Sequence, residues 1–595
     1  MMTSVGSPPK ARASWLTPAL LAVVAAGCAK QEDIRACMVY DTQIGAYDRA
    51  IVRANELYDC VLKGELAETD DKSPAEKDDI SSKNELLWRM ERGGIEVARA
   101  RYATSLPHLE RASDLVIERR TESLARKTAT FIANDTASEY AGNGYEHVQV
   151  DFLRALGYVV AAQRLQGIMP QGGEKSEGDL DLLVQKMNNT ARGMVLDKIQ
   201  FHQDVNTGLR YYDDPFARVF AAAMVLATPP NLRAADDEGF AMAMLTKALR
   251  AYREQQKVLG AAKGLRYEVQ GIPAAALRLA KVVGSSYDPE GLQQLLESVQ
   301  VAPDDPALGQ PLGKEEGLVF VLHLVDWITP TDELQIDLKI NVPYVPAITP
   351  AEQARGVTVT GFMTFGGTTF YAKGPNSELI REWGGAIAIT GELARIFGVA
   401  DPGTWIGFEL PWHRADRSIP PPGKARVGSL EMPLEVQADI DAYARVTLKD
   451  NFPSIMTKTM GRVFAKHLAA IVARKAMEAS AMRQEDGSKR LMGLLMAKLL
   501  GTTTHAAATA SENADTRHWA TLYDRIEGAL ITVPAGEYSV SLSTSRASYD
   551  LGTVKVPAGR LVCVPVRSIS TPMPNPYPPG APEAQPPASS ASASK

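Results

Sequence analysis

The feature that most constrains this chain is a change of apolar period near Gly317. Before it, apolar residues recur every three or four positions, the spacing of one helix face. After it they run together or alternate, the spacing of strands. Leu318-Val319-Phe320-Val321-Leu322 is a continuous apolar run, and Leu334, Ile336, Leu338, Ile340 and Val342 alternate with polar residues. The expectation is an α+β chain with a helical region over 34–300, a mixed α/β region over 317–530 and C-terminal β hairpins over 531–569 that pack on it.

The helical part is expected to begin with one helix whose stripe is Ile44, Tyr47, Ile51, Ala54, Tyr58 and Val61, capped by Asp41 or Thr42 and ended by Gly64. The acid-rich stretch from Glu65 to Asp79 is a solvated loop. Leu87, Met90, Gly94 and Val97 line a second helix, and Tyr102, Leu106, Leu109 and Val116 a third. Gly93, Tyr102 and Ala112 stand where a tetratricopeptide repeat places its small and aromatic packing residues. A second helical pair is expected from Tyr145 to Gln166, and a third after Asp214-Pro215-Phe216. Pairs of this size bury their faces only by stacking, so the region reads as an α-solenoid or bundle.

In the second half, Pro453-Ser454 is a helix start before the face of Met460, Phe464, His467 and Ile471. Leu491 to Gly501 is apolar nearly all round. It reads as a buried or partner-covered helix, with a membrane-touching or self-associating segment as the alternative. Two V-P-A-G stretches, at Val533 to Gly536 and Val556 to Gly559, each precede an alternating strand. They set tight turns and suggest a small β-sandwich-like element. From Ser570 to Lys595 proline, alanine and serine dominate, the composition of a disordered spacer.

The N-terminus carries an address. Lys10 and Arg12 precede an apolar run from Trp15 to Ala26, and Ala25-Ala26-Gly27 lead to Cys28. A basic start, a short apolar run and a small-residue exit describe a secretory signal. Cys28 at its end resembles the lipidated cysteine of bacterial lipoproteins, with 1–27 removed and 28–33 a tether. Ala29, not Asp, follows it, which resembles outer-membrane sorting. In an exported compartment Cys37 and Cys60 can form a disulfide if the chain doubles back between them; free buried thiols are the alternative. Cys563 reads as a core strand position.

The sequence shows no H-E-x-x-H, C-x-x-C, G-x-S-x-G, P-loop or dinucleotide fingerprint, so no catalytic residue, metal ligand or cofactor is assigned. A net charge of -6 argues against a nucleic-acid partner. Two polar clusters stand out: Asn134-Asp135 with Tyr140, Tyr145 and Glu146, and Asp515, Arg517 and Trp519. They read as a structural latch between the helical and β parts, or as a docking spot for a partner.

Those clusters also carry a resemblance. Asn134, Asp135, Tyr140, Gly142, Tyr145 and Glu146, then Asp214-Pro215-Phe216, Arg462 and Lys466, and Asp515-Thr516-Arg517 with Trp519 stand in an order similar to that of a family of uncharacterised bacterial envelope lipoproteins. The resemblance implies a lipid-anchored envelope protein of a family with no agreed activity, linked to cell-wall assembly. With the stacked helices offering a concave surface, the expectation is a scaffold or adaptor at the outer membrane that binds another envelope protein through its helical repeat surface. The alternative is an envelope hydrolase acting on a glycan or peptide, whose two carboxylates need not be close in sequence.

Overall fold

The computed structural model describes residues 34–57, 83–126, 139–171, 178–199, 213–260, 265–339, 405–413, 420–497 and 514–569, with a few short pieces between them. Cys28, Asn134, Asp135, Cys60 and the tail from 570 lie outside the described residues. The chain is α+β, with helices in its first half and sheets in its second.

The helical part begins with residues 34–43 (α1) and Tyr47–Leu57 (α2). The expected single first helix is therefore broken at 44–46. It continues with Glu85–Ala98 (α3), Tyr102–Arg126 (α4), Gly144–Leu165 (α5) and Leu180–Gly193 (α6). Pro215–Ala227 (α7), Asp237–Gly260 (α8), Ala274–Tyr287 (α9) and Pro289–Ser298 (α10) complete it. The expected pair from Tyr145 to Gln166 is one uninterrupted helix, α5. Nothing in that stretch breaks a helix, and Gly157 lets Leu106 of α4 pack against it. The Asp214 side chain caps α7 by accepting from the Ala217 N–H at 3.0 Å.

The first helical stretch ends at Leu57, and Val61–Leu62, expected in that helix, instead pairs antiparallel with Asp78–Asp79 at the end of the expected loop. The longer strands are Glu316–Val325 (β1), Thr331–Lys339 (β2), Thr358–Met363 (β3), Thr369–Gly374 (β4) and Trp405–His413 (β5). After them come Lys424–Val427 (β6), Leu430–Pro433 (β7), Glu435–Asp439 (β8), Arg525–Pro534 (β9), Gly536–Ser543 (β10), Ser548–Val556 (β11) and Leu561–Ser568 (β12). Among the described residues they form three four-stranded sheets, ordered β8-β9-β1-β12, β11-β10-β6-β7 and β3-β4-β2-β5. In the first, β9 runs antiparallel to β1 from Arg525↔Val325 to Pro534↔Glu316, and β12 runs parallel to it.

This first sheet is the middle layer. Leu318, Phe320, Leu322 and Leu324 join one apolar cluster with the helices, while Val319 and Val321 join another with Val540, Leu542, Val554 and Val556 of the second sheet. A strand covered on both faces needs apolar residues at every position, which explains the unbroken run at 318–322.

The boundary expected at 530/531 falls inside β9. The two V-P-A-G stretches are corners between sheets rather than hairpin tips. The first carries the chain from β9 in the middle sheet to β10 in the outer one, and the second returns it from β11 to β12. Both corners bond to the entry of β1: Ala535 N–H donates to the Glu315 carbonyl and Gly559 N–H to that of Glu316, each at 2.7 Å. Gly317 makes room for the second, because a Cβ there would lie 2.5 Å from the Pro557 carbonyl.

Ile440–Met482 (α11) follows β8 directly. Its cap is Asp439, which accepts from Ala442 N–H at 2.9 Å, so the start expected at Pro453 lies inside the helix. Residues 487–497 (α12) form the next helix. The burial expected for the 491–501 stretch does not hold for its described part. Leu491, Met492, Leu495 and Met496 are 61, 62, 55 and 51 % exposed. No helix among the described residues is long and apolar enough to cross a membrane.

Candidate functional site: a carboxylate-clamped seam and its cleft

The two polar clusters of the sequence, some 370 residues apart, meet at the start of α5. Glu146 forms a capping box there: it accepts from the Asn143 N–H at 2.6 Å, and the Asn143 side chain serves the first turn in return. The Tyr140 hydroxyl donates to the same carboxylate at 2.7 Å. Its other oxygen accepts the Trp519 N–H at 2.9 Å. One buried carboxylate thus holds its own helix and the far segment.

A second carboxylate does the same from α3. Glu91 accepts from Ala520 N–H at 2.7 Å, Thr521 N–H at 3.0 Å and the Thr521 hydroxyl at 2.6 Å. The approach is possible because position 94 is glycine. A Cβ there would stand 2.5 Å from Thr521 Oγ1 and 3.0 Å from Trp519 Nε1. On the other side of the helix Gly93 packs as closely on Leu109 of α4. Trp519 is completely buried, and the Tyr523 hydroxyl donates to Gln149 of α5. The segment 519–523 therefore occupies the inner face of the helices.

Burial pushes the Glu91 carboxyl up to about 7, against the pull of Thr521 and Ala520. Burial also raises Glu146. A folded value above the unfolded one means that the folded state holds the proton more tightly. Between about pH 4.5 and pH 7 the Glu91 contribution then lowers stability by about 3 kcal/mol as pH rises. Unfolding followed from pH 5 to pH 8 is expected to show this fall in the native chain, with the Glu91→Gln variant showing a shallower slope. Parallel slopes contradict it.

Just outside the clamp lies a cleft of about 320 Å³. Its walls come from the loop before α5, the ends of β2 and β5, α11 and the 514–518 segment. Tyr145, His413, Thr459, Arg462, Asp515 and Arg517 line it. Arg517 is fixed: Nε and Nη2 each donate to an Asp515 carboxylate oxygen at 2.8 Å, and the guanidinium lies 5.4 Å from the Tyr140 ring centroid. Burial lowers His413 to about 4, so its ring is neutral at pH 7. Burial works against Asp441 ionising, yet Arg445 at 2.7 Å holds it down at about 2. The cleft thus presents fixed hydrogen-bonding groups, with the apolar Leu448 and Ile455 among its lining.

Of the residues expected at a site, Tyr145, Asp515 and Arg517 line this cleft, while Glu146 and Trp519 form the clamp behind it. Cys37 is half-buried in α1, and the Cys37–Cys60 pairing falls outside the described residues. Glu91 and His413 were not legible as site residues. Glu91 meets partners about 430 positions away, a distance that leaves no local pattern. The 143–146 capping box was the one local signal.

A further polar group sits at the end of the space between the first two sheets. His323 Nδ1 lies 3.0 Å from Glu527 Oε2 and its Nε2 2.6 Å from Ser568 Oγ, and Arg525 donates to Glu527 at 2.6 Å. The order is that of a Ser–His–Glu set, but Ser568 is only 4 % exposed, and none of the three lines the cleft. The group ties β1, β9 and β12 together. No cluster of metal-ligating side chains is found among the described residues. No family model, curated protein or solved structure matches the chain.

Proposed function

We propose that this chain is a lipid-anchored adaptor of the cell envelope that grips a segment of another envelope protein in the seam cleft. In this reading acyl chains on Cys28 tether it to the outer membrane, and it belongs with the envelope lipoproteins its motifs resemble. The helix pairs are then a degenerate tetratricopeptide-like stack, and the first two sheets a small sandwich. The role is binding rather than catalysis, in the service of cell-wall assembly. The observation that carries it is the cleft itself, where Arg517 is locked by Asp515 and Tyr140 and the lining also includes the apolar Leu448 and Ile455. A pre-ordered arginine and aromatic pair offers an anchor at little entropic cost. The concave face of the helices is the less suitable seat, since the chain's own sheet and the 519–523 segment cover it.

Ile455→Arg tests this, because Ile455 borders the cleft and takes no part in the clamp. A stoichiometric partner recovered from detergent-solubilised envelopes is expected to bind at least about tenfold more weakly to the variant. Unchanged capture by a folded variant contradicts the cleft as the seat.

A further inference from the structure

We propose that the arm formed by the distal half of α11 and by α12 lies on an anionic lipid surface. This contact is separate from Cys28 and from the cleft. Beyond Arg462, α11 leaves the cleft and runs on to Met482, about 30 Å at 1.5 Å per residue. The chain then reverses, and α12 packs back on it, with Gly493 set against Ala481. One face is internal: His467, Ile471, Ala481 and Ala497 are buried. The outward side is not. Val472 is 60 % exposed and Met482 53 %, and they continue into the exposed Leu491, Met492, Leu495 and Met496. Large flexible apolar side chains standing out on both helices of a hairpin are costly in water.

Charge selects the occupant. From residue 466 to 498, Lys and Arg outnumber Asp and Glu seven to three, in a chain whose net charge is -6. Lys475, Arg483, Lys489 and Arg490 are exposed on the same two helices or the turn between them; Arg490 Nη2 lies 3.1 Å from the Met482 sulfur, and Lys489, 71 % exposed, stands 4.0 Å from Asp486. Apolar residues flanked by cations are the pattern of a helix lying in a headgroup layer, with each cation drawn to anionic lipid. A second copy of the arm would set this cationic excess against itself. Met and Leu suit an acyl boundary, where they need no shape-matched partner. The arm would hold the cleft within about one helix length of the bilayer.

The test is binding of the full-length chain to vesicles, read by hydrogen exchange of the 487–497 amides. Vesicles of phosphatidylglycerol with phosphatidylcholine are compared with phosphatidylcholine alone. The expected result is slowed exchange over 487–497 with the anionic vesicles only, reversed by raising salt. Leu491→Ser/Leu495→Ser and, separately, Lys489→Glu/Arg490→Glu are each expected to weaken the arm's contact by about tenfold or more. All four residues are exposed, so thermal unfolding is expected to be unchanged. Exchange that anionic vesicles leave unaltered overturns the proposal. So does a lipid-free dimer that the Leu491→Ser/Leu495→Ser variant dissolves, because a second copy would then be the occupant. Neither result bears on partner capture by the cleft.

Discussion

Glu91→Ala is expected to lower the stability of the folded chain by about 4 kcal/mol, because three buried donors lose their acceptor at once. Those donors are the N–H groups of Ala520 and Thr521 and the Thr521 hydroxyl. No water can replace the carboxylate without room for it, and Glu91 is completely buried. Chemical denaturation gives the loss, and the amide exchange of Ala520 and Thr521 shows where it falls. Glu91→Gln keeps one acceptor oxygen and is expected to cost less than half as much. Glu146→Ala frees the Trp519 N–H and the Tyr140 hydroxyl from the same carboxylate. Since the two carboxylates hold adjacent residues, the double variant is expected to depart from additivity by about 1 kcal/mol or more. Strict additivity would mean that the two grips are independent and that the segment is not one clamped unit.

Arg525→Met is expected to cost about 3–5 kcal/mol, since it leaves the Glu527 carboxylate buried without its guanidinium. Both side chains are almost wholly inaccessible, at 2 and 1 %. Burial works against the ionised form of Glu527, and His323, Arg525 and Gly423 N–H overcome it and hold its pKa below the usual carboxylate value. The folded value therefore lies below the unfolded one. The stability this gives is present above about pH 4.5 and is lost as pH falls through the folded value. In Arg525→Met that acid sensitivity is expected to shrink, which denaturation between pH 3 and pH 7 measures. The triple change His323→Phe, Arg525→Met and Glu527→Leu is expected to recover most of the loss, because an apolar replacement removes the buried charge along with its partner. If the triple variant is as unstable as the single one, the group does more than tie strands together.

Much of the fold was visible in the chain as local pattern. The period change near Gly317 coincides with the start of β1, and the unbroken run at 318–322 marks a strand covered on both faces. Asp214 and the 143–146 box announce their helices because capping is a contact over three residues. What was not visible is long-range. Pro-Ala-Gly gives a turn wherever it occurs, but whether the strands it joins lie in one sheet or two is set by pairing with strands more than a hundred residues earlier. Asp439 caps α11 fourteen residues before the Pro453 signal, so the proline is carried inside a helix that had already begun. The convergence of Glu146 with Trp519, like that of Glu91 with Ala520 and Thr521, rests on bonds to backbone N–H groups, which any residue type supplies. Only the residues that accept those bonds leave a trace in the sequence, and Glu91 among acids on a helix is one carboxylate of many.

The seam cleft, and not the helical surface, is proposed to receive the partner. A photo-crosslinking amino acid at Leu448 or Ile455, in chains expressed at native level in intact cells, tests it most directly, with Leu182 of α6 (48 % exposed) as the control position. One discrete adduct is expected from the two cleft positions and none from Leu182, with the adduct at Leu448 lost when Ile455→Arg is added. Adducts from Leu182 with none from the cleft would contradict it.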